Sequence, residues 1–81
     1  MVEEELPPAL REYVLKYTRN SYTRVELVSF LKKVMEGVCI SWKDVKNSGI
    51  KRHVIRLRRL GLLCIEVRDK HCFRVCGGGN D

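Results

Sequence analysis

Basic side chains are concentrated in one short segment near the middle of the chain. Five of the nine residues from 51 to 59 are Lys or Arg. Guanidinium and ammonium groups attract phosphates, and a guanidinium can also donate two parallel hydrogen bonds to guanine. The chemistry that this segment could do is therefore the non-covalent recognition of a polyanion.

Charge is also distributed unevenly over the whole chain. Residues 1–40 carry six basic and six acidic side chains, whereas residues 41–76 carry ten basic and three acidic ones, which leaves a net charge of +7. A basic surface that served only solubility would not need to be confined to one half. The second half of this basic protein is therefore predicted to bind a polyanion such as nucleic acid.

The four cysteines are the other residues with chemistry of their own. Cys72 and Cys76 lie four residues apart on a predicted strand, about 13 Å at 3.3 Å per residue, and the C-x2-C turns typical of zinc sites are absent. No metal is therefore predicted. Cys64 and Cys76 are a candidate disulfide, with free thiols as the alternative in a reducing cytosol. Cys39 is interpreted as a small apolar residue.

The sequence contains no arrangement typical of an active site. No pair of carboxylates stands in an apolar setting, and the glycines at 77–79 precede no helix, unlike those of a phosphate-binding loop. A domain of 81 residues also rarely encloses a substrate cavity. We therefore expect no catalytic residues, no cofactor and no small-molecule substrate. No apolar run approaches the roughly 20 residues of a membrane span, so we expect a cytoplasmic, nucleoid-associated protein without a membrane partner.

Apolar spacing and capping signals predict four helices. Pro7-Pro8 suits a first helical turn, residues 23–26 and 41–44 resemble capping boxes, and Gly61 is a typical stop. The predicted helices span residues 8–19, 23–36, 41–47 and 50–60. Helical spacing turns the following residues inward: Leu10, Val14, Tyr17, Leu27, Phe30, Leu31, Val34, Ile50, Val54 and Leu57.

The remaining apolar runs predict strands. Residues 38–40 are predicted as a short strand, and residues 62–68 and 72–76 as a hairpin. Together with the helices, these elements predict an α+β domain over residues 7–76. Flanking it, we expect a frayed acidic lead at residues 1–6 and a disordered tail at residues 77–81.

Two registers of the hairpin keep its apolar side chains on one face. In the first, Glu66 faces Cys72 and Cys64 faces Arg74. In the second, Glu66 faces Arg74 and Cys64 faces Cys76. We favour the second register because it makes complementary pairs on the outer face, and cross-strand pairs stabilise a sheet.

The order of these elements resembles the winged helix-turn-helix fold, with an extra N-terminal helix. The segment 41–63 carries the resemblance, above all its ending VIRLRRLGLL at residues 54–63. That ending is similar to the closure of the recognition helix in MarR-type, ArsR-type and archaeal regulators. The resemblance covers about residues 23–76, and the small size is similar to that of archaeal and archaeal-viral regulators.

The resemblance implies a transcriptional regulator that binds double-stranded DNA, with helix 50–60 in the major groove and the tip of the hairpin (the wing) on adjacent backbone or minor groove. The implied base-reading set on the recognition helix is Lys51, Arg52, Ile55, Arg56 and Arg59. The implied phosphate contacts at the start of the preceding helix are Ser41, Lys43 and Lys46. The implied wing contacts are Arg68, Lys70 and Arg74.

Other partners were weighed against duplex DNA. A homodimer is expected, because a single small module offers little contact area, and the first helix could form its interface. The main alternative is a protein–protein adaptor within transcription or replication machinery, although an adaptor has no need for an exposed basic helix. RNA is disfavoured because the outer faces of the predicted strands carry no aromatic platform for stacking bases.

Overall fold

The computed structural model describes residues 5–76. Most of the predicted lead and all of the predicted tail lie outside these residues. Within them the chain forms four helices followed by an antiparallel hairpin, an α+β architecture as predicted. The elements are α1 (Pro8–Tyr17), α2 (Ser21–Met35), α3 (Trp42–Val45), α4 (Lys51–Arg59), β1 (Leu63–Val67) and β2 (His71–Val75).

The residues just before α1 belong to the packed domain. Leu6, which the sequence placed in the frayed lead, is buried in the core. Its neighbour Glu5 forms an ion pair with Lys32 on α2, with 2.6 Å between Oε1 and Nζ. The hydrogen bond in this pair lowers the pKa of Glu5 and raises that of Lys32. The domain therefore begins earlier than predicted.

The helix α1 ends at Tyr17, two residues before the predicted end. The hydroxyl of the buried Thr18 donates to the Val14 carbonyl, and Arg24 on α2 donates to both the hydroxyl and the carbonyl of Thr18. These bonds satisfy groups at the end of the helix and turn the chain into α2. Tyr17, predicted to face inward, is 40% exposed.

The start of α2 corrects the prediction of a capping box at Thr23. The side-chain oxygen of Asn20 accepts hydrogen bonds from the amides of Tyr22 (2.8 Å) and Thr23 (3.3 Å). Asn is among the best N-cap residues, so the helix begins at Ser21 and Thr23 lies inside its first turn. The other end is closed by Gly37, whose φ of 92° allows the paired hydrogen bonds of a Schellman motif.

A one-turn helix, a turn and α4 follow. The Asp44 carboxylate accepts hydrogen bonds from the amide (2.9 Å) and the hydroxyl (3.2 Å) of Ser41, which fixes the start of α3. The helix ends at Val45, earlier than predicted, because the Ser48 hydroxyl donates to the Val45 carbonyl and accepts from the Ile50 amide. The helix α4 ends in a second Schellman motif at Gly61, as its sequence predicted.

The predicted strand at residues 38–40 is wrong. These residues form no ladder, and within residues 5–76 the sheet contains β1 and β2 alone. One backbone hydrogen bond, from the Phe73 amide to the Ile40 carbonyl (2.8 Å), attaches this segment to β2. This hydrogen bond and the disulfide between Cys39 and Cys72, described below, hold residues 38–40 in place without a ladder. The apolar character of these residues was therefore not enough to indicate a strand.

The favoured register of the hairpin is also wrong. The structure has the first alternative, in which Cys64 pairs with Arg74 and Glu66 with Cys72. Charge pairing did not separate the two registers, because long side chains also reach diagonal neighbours, and Arg74 still lies 3.9 Å from Glu66. The observed register sets Phe73 opposite Ile65 on the inner face, where Phe73 meets α2.

One core joins the helices to the hairpin. Phe73 packs edge-on against Phe30, with 5.7 Å between the ring centres. Leu27, Leu31 and Val34 on α2 are buried as predicted. Burial of this kind supplies most of the stability of a small domain. It also fixes the position of α4, whose inner face belongs to the same core.

Candidate nucleic-acid interface

The helix α4 presents its basic residues on the side opposite the core. Ile50, Val54 and Leu57 are at most 2% exposed, which confirms the predicted inner face. With 3.6 residues per turn, residues 51, 52, 55 and 59 then fall on the outer side. The structure exposes all five residues that the sequence proposed as base readers: Lys51, Arg52, Ile55, Arg56 and Arg59. Four of these five are cations, so the outer side of α4 is a basic surface.

Ile55 is the apolar residue among these cations. It is 37% exposed and lies between Lys51 and Arg59 on the same helical line. The partial exposure means that this residue contacts the domain and also reaches solvent. An apolar group at such a position can meet the methyl group of thymine.

The helix α1 flanks α4 on one side and contributes two aromatic residues to the site. The Tyr13 hydroxyl lies 2.8 Å from His53 Nδ1. One turn further along, the guanidinium of Arg56 lies over the ring of Tyr17, with 4.8 Å between Cζ and the ring centre. Lys16 Nζ lies 5.4 Å from the same ring centre. The sequence pointed to α1 as a dimer interface and did not predict this contact, although its two tyrosines four residues apart were an available signal.

Burial keeps the contact between Tyr13 and His53 neutral. Burial lowers the pKa of His53, and the positive charges of Arg56 and Arg52 lower it further. Burial also raises the pKa of Tyr13. A neutral imidazole has one donor and one acceptor nitrogen, and a tyrosine hydroxyl can act in either role, so the two groups share a hydrogen bond without a net charge. His53 is therefore a half-buried structural residue beside the basic surface and adds no charge to it at neutral pH.

The three predicted phosphate contacts at the start of α3 differ in whether they are free to bind a ligand. Lys43 and Lys46 are exposed. Ser41, in contrast, gives both its amide and its hydroxyl to Asp44. The pKa of Asp44 is lowered by those hydrogen bonds and by the charges of Lys70 and Lys43, so a carboxylate stands at this helix start. Phosphate binding at this end therefore depends on the lysines.

The three predicted wing cations also differ, because two of them form ion pairs within the domain. Arg68 lies 3.3 Å from Glu66 (Nε to Oε2) and donates through Nη1 to the Gly37 carbonyl at 3.0 Å, so it joins the hairpin to the loop after α2. Arg74 shares the same glutamate at 3.9 Å. Within residues 5–76, Lys70 is exposed and forms no ion pair. The tip therefore offers one cation that is free within the described residues.

All four cysteines are paired in disulfides. The candidate pair, Cys64 and Cys76, is joined, although the two residues lie diagonally in the observed register. Their Cα atoms are 5.9 Å apart, within the usual range. Cys39 is joined to Cys72, with 5.0 Å between the Cα atoms, so its interpretation as a merely apolar residue is wrong. At a sequence separation of 33, no local signal in the sequence indicated this contact.

The described residues show neither a metal site nor a membrane-spanning helix. Within residues 5–76, no group of three or more His, Cys, Asp or Glu side chains lies close enough together to hold a metal ion. In the same part of the chain, no helix has both the length and the apolar character needed to cross a membrane. No model of a protein family, no curated protein and no solved structure matches the chain.

Proposed function

We propose that this protein is a winged helix-turn-helix regulator that binds double-stranded DNA. One observation carries the proposal: α4 turns Ile50, Val54 and Leu57 into the core and a row of cations outward. A helix needs only its inner face for folding, so the outer cations are available to a ligand. Their charge and geometry suit phosphates and guanine edges.

The dimensions of α4 are compatible with the major groove. Its nine residues extend about 13 Å at 1.5 Å per residue. The major groove is about 12 Å wide, which admits one α-helix. A helix of this length reaches a few base pairs, so the bases would be read by Lys51, Arg52 and Arg56. The lysines of α3 and Lys70 at the hairpin tip would contact the backbone on either side.

Salt dependence separates this proposal from binding that is not electrostatic. If roughly six to eight cations meet phosphates, the logarithm of the affinity falls with the logarithm of salt concentration at a slope of about −5 to −7. We expect this slope in fluorescence anisotropy with a labelled duplex. An affinity that does not change between low and moderate salt would contradict DNA binding.

Selection from random duplexes then distinguishes base reading from backbone contact. We expect Lys51→Ala/Arg52→Ala to lose sequence preference, because each good base contact contributes about 1–3 kcal/mol of discrimination. Lys70→Ala should weaken binding to all sequences alike and make the salt slope shallower by about 0.9. Lys33→Ala is the matched control, because Lys33 is an exposed lysine on α2.

The outcomes of this comparison have distinct meanings. Equal and unselective losses in the α4 and hairpin variants would indicate a nonspecific DNA-binding protein. Wild-type binding that Lys33→Ala weakens as much as Lys70→Ala would indicate that overall charge, and not the proposed surface, causes the binding. Either result would contradict a regulator that reads bases through α4.

A second candidate function, the binding of another protein, is supported by a groove along α2. It has a volume of about 780 Å³ and lies between α2 and residues 38–50. Tyr22 and Val25, which line it, are 86% and 65% exposed. Exposed apolar surface of this kind often binds another protein, which is what an adaptor would need. Tyr22→Ser/Val25→Ser should abolish partner binding in an adaptor and leave DNA affinity unchanged in a regulator.

The proposal includes a homodimer, because two copies would read two half-sites about one helical turn apart. In the structure α1 packs through Leu10, Tyr13 and Val14, so it closes the domain. Its exposed apolar residue Leu15 is 50% exposed and is available to a second copy. Light scattering of the free protein and of its complex with selected DNA measures the number of copies. A single copy bound to a selected site without two-fold symmetry would contradict the dimer.

A further inference from the structure

We propose that Tyr17 is a positioning residue that holds the guanidinium of Arg56 in place for contact with DNA. The inference rests on the proposed function, and it assigns to α1 a role at the DNA surface. Arg56 Cζ lies 4.8 Å from the centre of the Tyr17 ring. A cation at this distance over an aromatic face is attracted to the ring.

The Tyr17 ring is itself in contact with the ring of Tyr13. Its centre lies 4.7 Å from that of Tyr13, with 37° between the two ring planes. Tyr13 is 4% exposed and is fixed by its hydrogen bond to His53. A chain of contacts therefore connects the core to the guanidinium. Tyr13 is buried, its ring contacts the Tyr17 ring, and the Tyr17 ring contacts the guanidinium of Arg56.

The contact with the Tyr17 ring restrains Arg56 without using its hydrogen-bond donors in an ion pair. None of the ion pairs within residues 5–76 involves Arg56, whereas Arg68 and Arg74 are both paired with Glu66. A planar guanidinium on an aromatic ring keeps its edge free for a phosphate or a base. Because its orientation is already restricted, it loses less conformational freedom when it makes that contact.

A second cation makes the same place attractive to an anion. Lys16 Nζ lies 5.4 Å from the Tyr17 ring centre, so one exposed ring has two positive groups near it. Both groups are positively charged, and a phosphate bound near this ring would be attracted to each of them. The aromatic pair on α1 and the basic surface of α4 thus form one continuous site. This distinguishes Arg56 from Arg52 and Arg59, for which the structure shows no aromatic contact within residues 5–76.

The test is a double-mutant cycle on the affinity for a duplex that the wild-type protein selects. We expect Tyr17→Ala to weaken binding roughly two- to five-fold, the size of a cation–π contact at an exposed position. Tyr17→Phe keeps the ring and should bind like the wild type. In the background of Arg56→Ala, Tyr17→Ala should cause no further loss, because its effect acts through Arg56.

Tyr22→Ala is the matched control, because Tyr22 is an exposed tyrosine on the next helix with no ring contact within the described residues. All variants are compared at a temperature where thermal unfolding shows them to be folded. If Tyr17→Ala does not fold, Tyr17→Leu provides the comparison, since it keeps a large apolar side chain but removes the aromatic face, and it should weaken binding by the same roughly two- to five-fold.

Three results would overturn the inference. Additive losses from Tyr17→Ala and Arg56→Ala would show that the two side chains act independently. A loss in Tyr17→Phe equal to that in Tyr17→Ala would show that the hydroxyl, and not the ring, is the active group. Wild-type affinity in Tyr17→Ala, with DNA binding otherwise intact, would remove Tyr17 from the site. The absence of duplex binding by the wild-type protein, or an affinity that does not change with salt, would instead contradict the proposed function itself.

Discussion

His53 shows how a titratable residue can lie in a strongly basic helix without adding charge to it. Its ring is half-buried beside α1, and its Nδ1 atom shares a hydrogen bond with the Tyr13 hydroxyl. Protonation of the ring would place a third positive charge beside Arg52 and Arg56. The same contacts that lower the pKa of His53 therefore connect protonation to the stability of the α1–α4 contact.

The direction of this pH effect can be predicted. Because the pKa of His53 is lowered in the folded state, the folded protein binds fewer protons than the unfolded chain. The stabilising contribution is present above the unfolded pKa of about 6.5 and is lost as the pH falls through the folded pKa. We expect the free energy of unfolding to decrease from pH 7 to pH 5, as measured by urea denaturation.

A variant without a titrating ring isolates the effect. His53→Gln keeps a hydrogen-bonding partner for Tyr13, and its free energy of unfolding should decrease less steeply than that of the wild type over the same pH range. His71→Gln removes an exposed histidine and should retain the wild-type slope. Equal slopes in the wild type and in His53→Gln would contradict the assignment.

For single residues, the sequence predicted the direction of a side chain better than it predicted the group that the side chain contacts. The outward direction of Lys51 and Arg52 follows from helical spacing alone, because the buried residues of α4 determine it. The contacts of Tyr17 with Arg56, and of Arg68 with the Gly37 carbonyl, depend on how elements are placed in space. Spacing along one helix contains no information about the side chains of another.

Among the elements, α2 begins where a single side chain caps it. Asn20 accepts from two amides of the first turn, which have no other partner within the helix. We expect Asn20→Ala to lower the free energy of unfolding by about 0.5–2 kcal/mol, the usual cost of losing an N-cap. For a domain of this size, each kcal/mol corresponds to roughly 4–8 °C in the melting temperature.

The control for this prediction is Asn47→Ala, which removes an exposed asparagine in the turn after α3. Calorimetry should show a lower melting temperature for Asn20→Ala and little change for Asn47→Ala. If both variants melted like the wild type, Thr23 rather than Asn20 would provide the cap in solution.

Elements were predictable where a local signal decides, and less so where pairing decides. The four helices were found because apolar spacing and caps act within a few residues. Residues 38–40 were wrongly predicted as a strand, because a strand requires a ladder with another segment. The register was wrong because Glu66 can reach both Arg68 and Arg74 from the observed position.

The whole molecule is cross-linked at two places, both on the side of the hairpin. Cys39–Cys72 closes a separation of 33 residues, and Cys64–Cys76 closes one of 12. A loop-entropy estimate gives about 4 kcal/mol for the longer loop and about 3 kcal/mol for the shorter one. Disulfides of this kind are typical of oxidising compartments and of hyperthermophile cytosols.

We expect reduction to destabilise the protein substantially, because both cross-links restrict the unfolded chain. The oxidised protein should contain no titratable thiol among its four cysteines under denaturing conditions. Cys39→Ser should lower the melting temperature more than Cys64→Ser, since it opens the longer loop. Four free thiols in the oxidised sample, or unchanged melting after reduction, would contradict the pairing.

The bond between Cys39 and Cys72 has a further consequence for DNA recognition. Together with the hydrogen bond from Arg68 to Gly37, it fixes the hairpin to the loop that precedes α3. Under the proposed function, α4 and the hairpin tip would meet a duplex as one rigid body. A duplex whose curvature does not match must then bend to fit. Bending is easiest at flexible pyrimidine–purine steps, so the protein would select for base pairs that none of its side chains touches.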